Sequence, residues 1–168
     1  MARVKGPHTV KYGNSTISDI EELNVEWSQD SNDYDTIQGN KYTADTTGQV
    51  IATITLLAND VTALAVLLPQ YFVASSGVLS TGETVTDAQG AIDVVPGGCV
   101  ALGNLKHLTI TSCDETGAQH VLRIPDGTTR IDGVEFDGAG ARKVMVQFRG
   151  EGTTIGQLYD SGAVTTIS

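Results

Sequence analysis

The sequence predicts a mainly β protein with one short α-helix. Three observations carry that expectation. Gln49–Leu68, QVIATITLLANDVTALAVLL, reads as a strand running into a short helix, and it holds the densest cluster of branched apolar residues in the chain. Two further stretches alternate cleanly: Leu23, Val25 and Trp27 against Glu22, Asn24 and Glu26, and Val144, Val146 and Phe148 against Lys143, Met145 and Gln147. Finally, 19 glycines among many threonines favour short strands and turns over helices.

In the organising stretch, Val50, Ala52, Ile54 and Leu56 fall on one face of an extended segment. The period then changes. Asn59 or Asp60 can cap the next N–H groups, Val61, Leu64, Ala65 and Leu68 follow at helical spacing, and Pro69 closes the helix. Burying Val61, Leu64, Leu67 and Leu68 contributes roughly 6–12 kcal/mol gross, at about 1.5–3 per side chain, before chain entropy is subtracted.

At 168 residues the chain suits a single domain, 1–168. Residues 1–14 read as an extended N-terminal arm with a short strand at His8–Tyr12. After the alternating segment, Gln29–Asp33 is polar loop chemistry, Tyr34–Thr43 a weaker strand, and Asp45–Gly48 a turn into the central strand. Residues 74–104 form a long loop of 31 mostly small or polar residues with six glycines, a poor core by itself. Its runs Glu83–Thr86 and Ala91–Val95 could pair if another subunit supplied a surface. The last third reads as a meander. Leu108 and Ile110 alternate, His120–Ile124 leads to a tight turn at Pro125-Asp126-Gly127, Thr128–Phe136 returns, DGAGA turns again, and Arg142–Arg149 is a strong strand. Gly156–Ser168 is a final strand or a tail.

Net charge is −10, and it is unevenly spread. Between Tyr12 and Asn40 stand seven acids and no Lys or Arg, whereas six of the ten basic residues lie between Lys106 and Arg149. Such asymmetry serves solubility, or brings acidic and basic faces of identical subunits together. A duplex-gripping protein carries a larger basic patch. No apolar run approaches the ~18–20 residues that span a bilayer, and the N-terminus lacks the apolar core of a signal peptide. Cys99 and Cys113 read as free thiols.

A search for chemistry yields no catalytic residue, no cofactor site and no metal site. Cys99, His107, Cys113 and His120 lack the close paired ligands of zinc modules. The acids at 30–35 fail the calcium-loop spacing, and no nucleophile elbow, phosphate-binding loop or dinucleotide fingerprint is present. Trp27 with the tyrosines could stack a sugar, but alternation with Leu23 and Val25 favours a core position. An extended, β-rich, acidic chain without an active site points to a subunit of an assembly.

The order of parts resembles the tail tube proteins of long-tailed bacteriophages: an acidic strand pair, DIEELNVEWSQDSNDYDTIQG; a strand feeding a short helix, GQVIATITLLANDVTALAVLLPQYF; a long loop; and a hairpin series with IPDG and ARKVMVQFRGEG. The likeness covers most of residues 15–155. It implies an antiparallel β-sandwich or barrel with one short flanking helix, in a virion tail protein made in the host bacterial cytoplasm, whose homohexameric rings join their inner sheets into one barrel and stack into a tube. It also implies tape measure, tail terminator and baseplate partners, with a sheath left open, and no membrane insertion. Six copies of four strands, at ~4.8 Å spacing and ~40° tilt, give a barrel on the order of 45–50 Å across, wide enough for duplex DNA. An acidic channel would let DNA slide with only transient contact. Glu22, Glu26 and Asp30 are the candidate lumen-lining residues on this reading. The competing reading turns them to outer solvent or pairs them with Arg142, Lys143 or Arg149 of a neighbour. Other virion roles, in head decoration or head–tail connection, and a small glycan-binding module using Trp27 and Tyr34, are the alternatives.

Overall fold

The computed structural model describes residues 4–57, 60–95, 105–114, 117–150 and 154–160. Its strands are β1 (Val4–Tyr12), β2 (Ser15–Ile17), β3 (Ile20–Asp35) and β4 (Lys41–Leu56), followed by helix α1 (Val61–Leu67). Then come β5 (Phe72–Val73), β6 (Ala91–Ile92), β7 (Lys106–Asp114), β8 (Gln119–Phe136), β9 (Arg142–Gly150) and β10 (Gln157–Asp160). All pairings are antiparallel. One eight-stranded sheet runs β2-β1-β7-β8-β9-β4-β3, with β10 also on β8, and β5 pairs with β6 in a small second sheet. The mainly β architecture with one short helix is as the sequence predicts.

The core lies on one face of the large sheet. Val50, Ala52, Ile54 and Leu56 of β4 are buried, as their alternation requires, opposite Phe148, Val146 and Val144 of β9. Helix α1 covers this face with Leu64 and Leu67 buried. It starts where Asp60 accepts a hydrogen bond from the Ala63 amide at 3.1 Å. At its other end Thr129 Oγ1 of β8 donates to the Leu67 carbonyl, which the helix itself leaves unpaired. Gln70 Nε2, in the 3-10 turn that follows, donates to the Thr129 carbonyl at 2.6 Å.

Several expected loops are strand. Residues 29–33 are not a loop and 45–48 are not a turn: β3 and β4 form one long hairpin in register from Ile20↔Leu56 to Asp35↔Lys41. The chain reverses instead at Thr36–Asn40, where the Thr36 amide donates to the Asn40 carbonyl and Gly39 takes φ 81°. Polar composition misled here because a hairpin that leaves the body of the sheet has no apolar face to satisfy. A bulge between Asp30 and Ser31 skips Thr46 of β4, while Asp45 and Gly48, the residues that suggest a turn, pair with Ser31 and Gln29.

Pro125-Asp126-Gly127 is likewise a bulge inside the continuous strand β8. Proline and glycine suit both devices, and Asp126 adopts φ 45° as a turn residue would. The Asp126 amide donates to Nδ1 of His107 on β7 at 3.2 Å. Burial, then the nearby Arg123, lowers the pKa of His107 below the ordinary histidine value against the opposing pull of Asp126, which favours the unprotonated Nδ1 that accepts this bond.

The strand expected at His8–Tyr12 is present and reaches back to Val4, so the described part of the N-terminal arm is paired with β7, and β2 flanks it at Val10–Tyr12. The long loop organises itself without another subunit through residue 95. Ala91–Ile92 pairs with Phe72–Val73, Thr84 bridges Val78, and Ser80 binds both oxygens of Asp93 at 2.6 and 3.0 Å. Residues 96–104, including Cys99, and Asn59 lie outside the described residues.

Candidate assembly surface

Directly paired residues of neighbouring strands point to the same side of a sheet. The register therefore defines the face opposite the core over four strands, β3-β4-β9-β8. One row reads Glu26, Ile51, Arg149 and Thr128; the next reads Asn24, Thr53, Gln147 and Arg130. Glu22 pairs with Thr55, itself opposite Met145. Acids thus stand at the β3 margin and bases at the β9–β8 side of the same face.

The bases are held in place. Arg149 Nε donates to Gln147 Oε1 at 2.9 Å, and Arg130 Nε donates to the same oxygen at 3.0 Å. Two guanidinium groups share one neutral acceptor, and among the described residues neither has a carboxylate within ion-pair distance. Lys143, in contrast, binds Glu21 at 2.9 Å, and that contact lifts its pKa above the ordinary lysine value.

Of the lumen candidates, Glu22 and Glu26 are exposed and share this face, and the side chain of Asp30 lies outside the described residues. Glu22 and Glu26 lie on one strand, and among the described residues neither is paired with an arginine. Arg130 and Gln147 did not stand out in the sequence. Their signal was the polar half of two alternating strands, and it acquires meaning only once β8 and β9 are in register.

Both outer strands of this four-stranded segment have an unpartnered edge among the described residues. β3 pairs with β4 alone. β7 covers the outer edge of β8 only as far as Gly127, and the Thr129 carbonyl is taken by Gln70. From Arg130 to Phe136 no described strand lies on that side, and Val134 and Phe136 remain 46% and 72% exposed.

Trp27 is not a core residue: it is 45% exposed at the β3 margin. Its Nε1 donates to the Ile155 carbonyl at 3.2 Å, and with Ile155, Gly156 and Leu158 it lines an open cavity of about 270 Å³. His120 lies between Asp160 (2.7 Å) and Asp114 (3.0 Å), tying β10 to the sheet. Hydrogen bonds that the ring donates to these carboxylates, Asp114 first, raise its pKa above the ordinary histidine value. Among the described residues no three His, Cys, Asp or Glu side chains gather as metal ligands. Nor is any described helix long and apolar enough to cross a membrane.

No protein-family model matches the chain, and no curated protein does either. Solved structures do. A chain in the cryo-EM structure of the anti-feeding prophage tube-terminating cap superposes with a TM-score of 0.50 at 10% identity, over 95% of each chain. The two chains share a fold. Two cryo-EM structures of an extracellular contractile injection system, PVC, in the extended state also match. One is the sheath/tube terminator, with TM-score 0.49 and 10% identity over 92% of this chain and 93% of that one. The other is the sheath–tube complex, with TM-score 0.49 and 11% identity over 91% and 86%. At such identities the likeness is one of fold.

Proposed function

We propose that this chain is a structural, non-enzymatic subunit of a phage-tail-like particle. It polymerises through sheet edges into stacked rings that form a tube for DNA passage. The observation that carries this reading is the pair of edges without a strand partner among the described residues, β3 on one side of the segment β3-β4-β9-β8 and the Arg130–Phe136 part of β8 on the other. Exposed strand edges invite association, and natural sheets cover them or close on themselves. The two edges are different surfaces, so their contact is head-to-tail and propagates around an axis until a ring closes.

Strand direction fits. Four antiparallel strands make β3 and β8 run in opposite directions, so β3 of one copy meets β8 of the next antiparallel and the sheet continues unbroken. Val134 and Phe136, exposed in one copy, lie where the next would cover them. The fold shared with a tube-terminating cap is consistent with this role. Tape measure, terminator and baseplate components are the partners such a tube would meet, with a sheath where the tail contracts.

Negative-stain electron microscopy of the purified protein at rising concentration, with light-scattering mass alongside, tests the reading. Hollow rings or tubes are expected. A monomer at every concentration overturns it and turns attention to glycan binding beside Trp27.

A further inference from the structure

We infer that Arg130, held beside Arg149 on the shared oxygen of Gln147, is the receptor for a carboxylate of a second copy, supplied by Glu22 or Glu26 of that copy's β3. The inference rests on the edge-to-edge reading and adds to it the residues that pair across the seam.

Two like charges drawn to one neutral acceptor repel each other, and an arriving carboxylate relieves that repulsion. Arg130 stands on the unpartnered edge of β8 and is exposed. Its Nε is committed to Gln147, which leaves the far nitrogens of the guanidinium for a partner. The chain carries the complementary charge on its other free edge, where Glu22 and Glu26 flank Asn24 on the same sheet face.

Joining these edges sets β3 of the neighbour about 4.8 Å from β8. Side-chain period 2 allows only registers that keep the apolar face in the core. The even positions of β3 near Arg130 are Glu22, Asn24 and Glu26. Opposite either glutamate, Arg130 has a direct cross-strand partner. Opposite Asn24 it has both glutamates on the diagonals, at roughly 7–8 Å between backbone positions and within reach of long side chains. The acids expected to stand bare in a channel are thereby balanced at each seam. A second copy is favoured over nucleic acid because the whole chain carries a net charge of −10, which repels a polyanion.

The test uses two full-length variants, Arg130→Glu and the double change Glu22→Arg with Glu26→Arg. Each alone sets like charges across every seam and should raise the concentration needed for assembly by at least about tenfold. Mixed in equal amounts they should assemble again. Every seam of an alternating ring then joins opposite charges, and the recovery also proves that each variant is folded. Wild-type-like assembly of either variant alone, or two variants that fail alone and fail together, overturns the receptor while leaving the edge reading intact. Rings unaffected by the reversals but altered in retention of a short duplex DNA probe assign the arginines to a polyanion and overturn the inference as well. A wild-type chain that never assembles overturns the edge reading itself, and the second copy as occupant with it.

Discussion

Gly156 lies against the indole of Trp27: a Cβ added to it would come within 2.6 Å of Trp27 Cζ2 and 3.2 Å of Cε2. With the indole hydrogen bond to the neighbouring Ile155 carbonyl, this contact fastens the segment before β10 to the margin of β3. Trp27 is the only tryptophan, so its emission reports the contact directly. Gly156→Val should expel the ring, shifting the emission to longer wavelength and increasing quencher access. Because the indole is already half-exposed, the stability loss should fall near the lower end of the ~1–3 kcal/mol typical of overpacking. An unchanged spectrum would refute the contact.

Gly127 stands where β8 changes partners, pairing with Lys106 on β7 and with Gly150 on β9. A Cβ there would strike the buried Phe148 ring and the Arg149 carbonyl. Neither can swing away, since one is core and the other backbone. Gly127→Ala should therefore cost about 2–3 kcal/mol, read as a lower urea midpoint at unchanged slope.

Thr129→Val keeps the side-chain shape but removes the hydroxyl that meets the Leu67 carbonyl. That carbonyl then has no donor at a buried helix end. A loss of about 1–3 kcal/mol is expected in chemical denaturation, with faster amide exchange in α1 than in the strands.

The tie between β10 and the sheet should weaken with rising pH. Asp114 and Asp160 raise the pKa of folded His120 above its unfolded value, so the protonated ring favours the folded arrangement. That contribution is complete below pH 6.5 and drains away as pH climbs through the raised folded value. Amide exchange over Gln157–Asp160, corrected for its intrinsic pH dependence, should accelerate across that window. His120→Gln should flatten the response.

Blocking the β8 edge should act on assembly without unfolding the subunit. Val134→Glu with Phe136→Glu places charge on two exposed positions, where surface substitutions ordinarily change stability by about 0.5 kcal/mol or less. The melting curve of the monomer should stay in place while rings disappear from micrographs. Rings that persist would mean the copies meet elsewhere.

Local pattern was sufficient for much of the molecule. The alternation in β4 and β9 announced which residues are buried, and the change of period at Asp60 announced the helix. The hairpin at DGAGA reverses as its residues suggest, with Asp137 accepting from the Ala139 and Ala141 amides, each at 2.9 Å. These features arise from neighbours in sequence, where side-chain period and turn chemistry act directly. The long hairpin of β3 and β4, the reach of the N-terminal strand back to Val4 and the exposure of Trp27 were hidden, because each depends on what lies beside it in space.

The assembly surface shows the division most clearly. Counted outward from the DGAGA turn, Phe136 pairs with Arg142, and uninterrupted pairing would set Arg130 opposite Phe148, on the core side. A bulge at Asp132 shifts the register between Ile131 and Gly133, so Arg130 pairs with Gln147 on the other face. One extra residue reverses which side every following side chain takes, because the period of a strand is two. Periodicity could name Arg130 as a polar residue of a strand. Only packing of β8 against its neighbours, with Thr129 and Ile131 turned toward the core and Arg130 away from it, could place it beside Gln147 and Arg149.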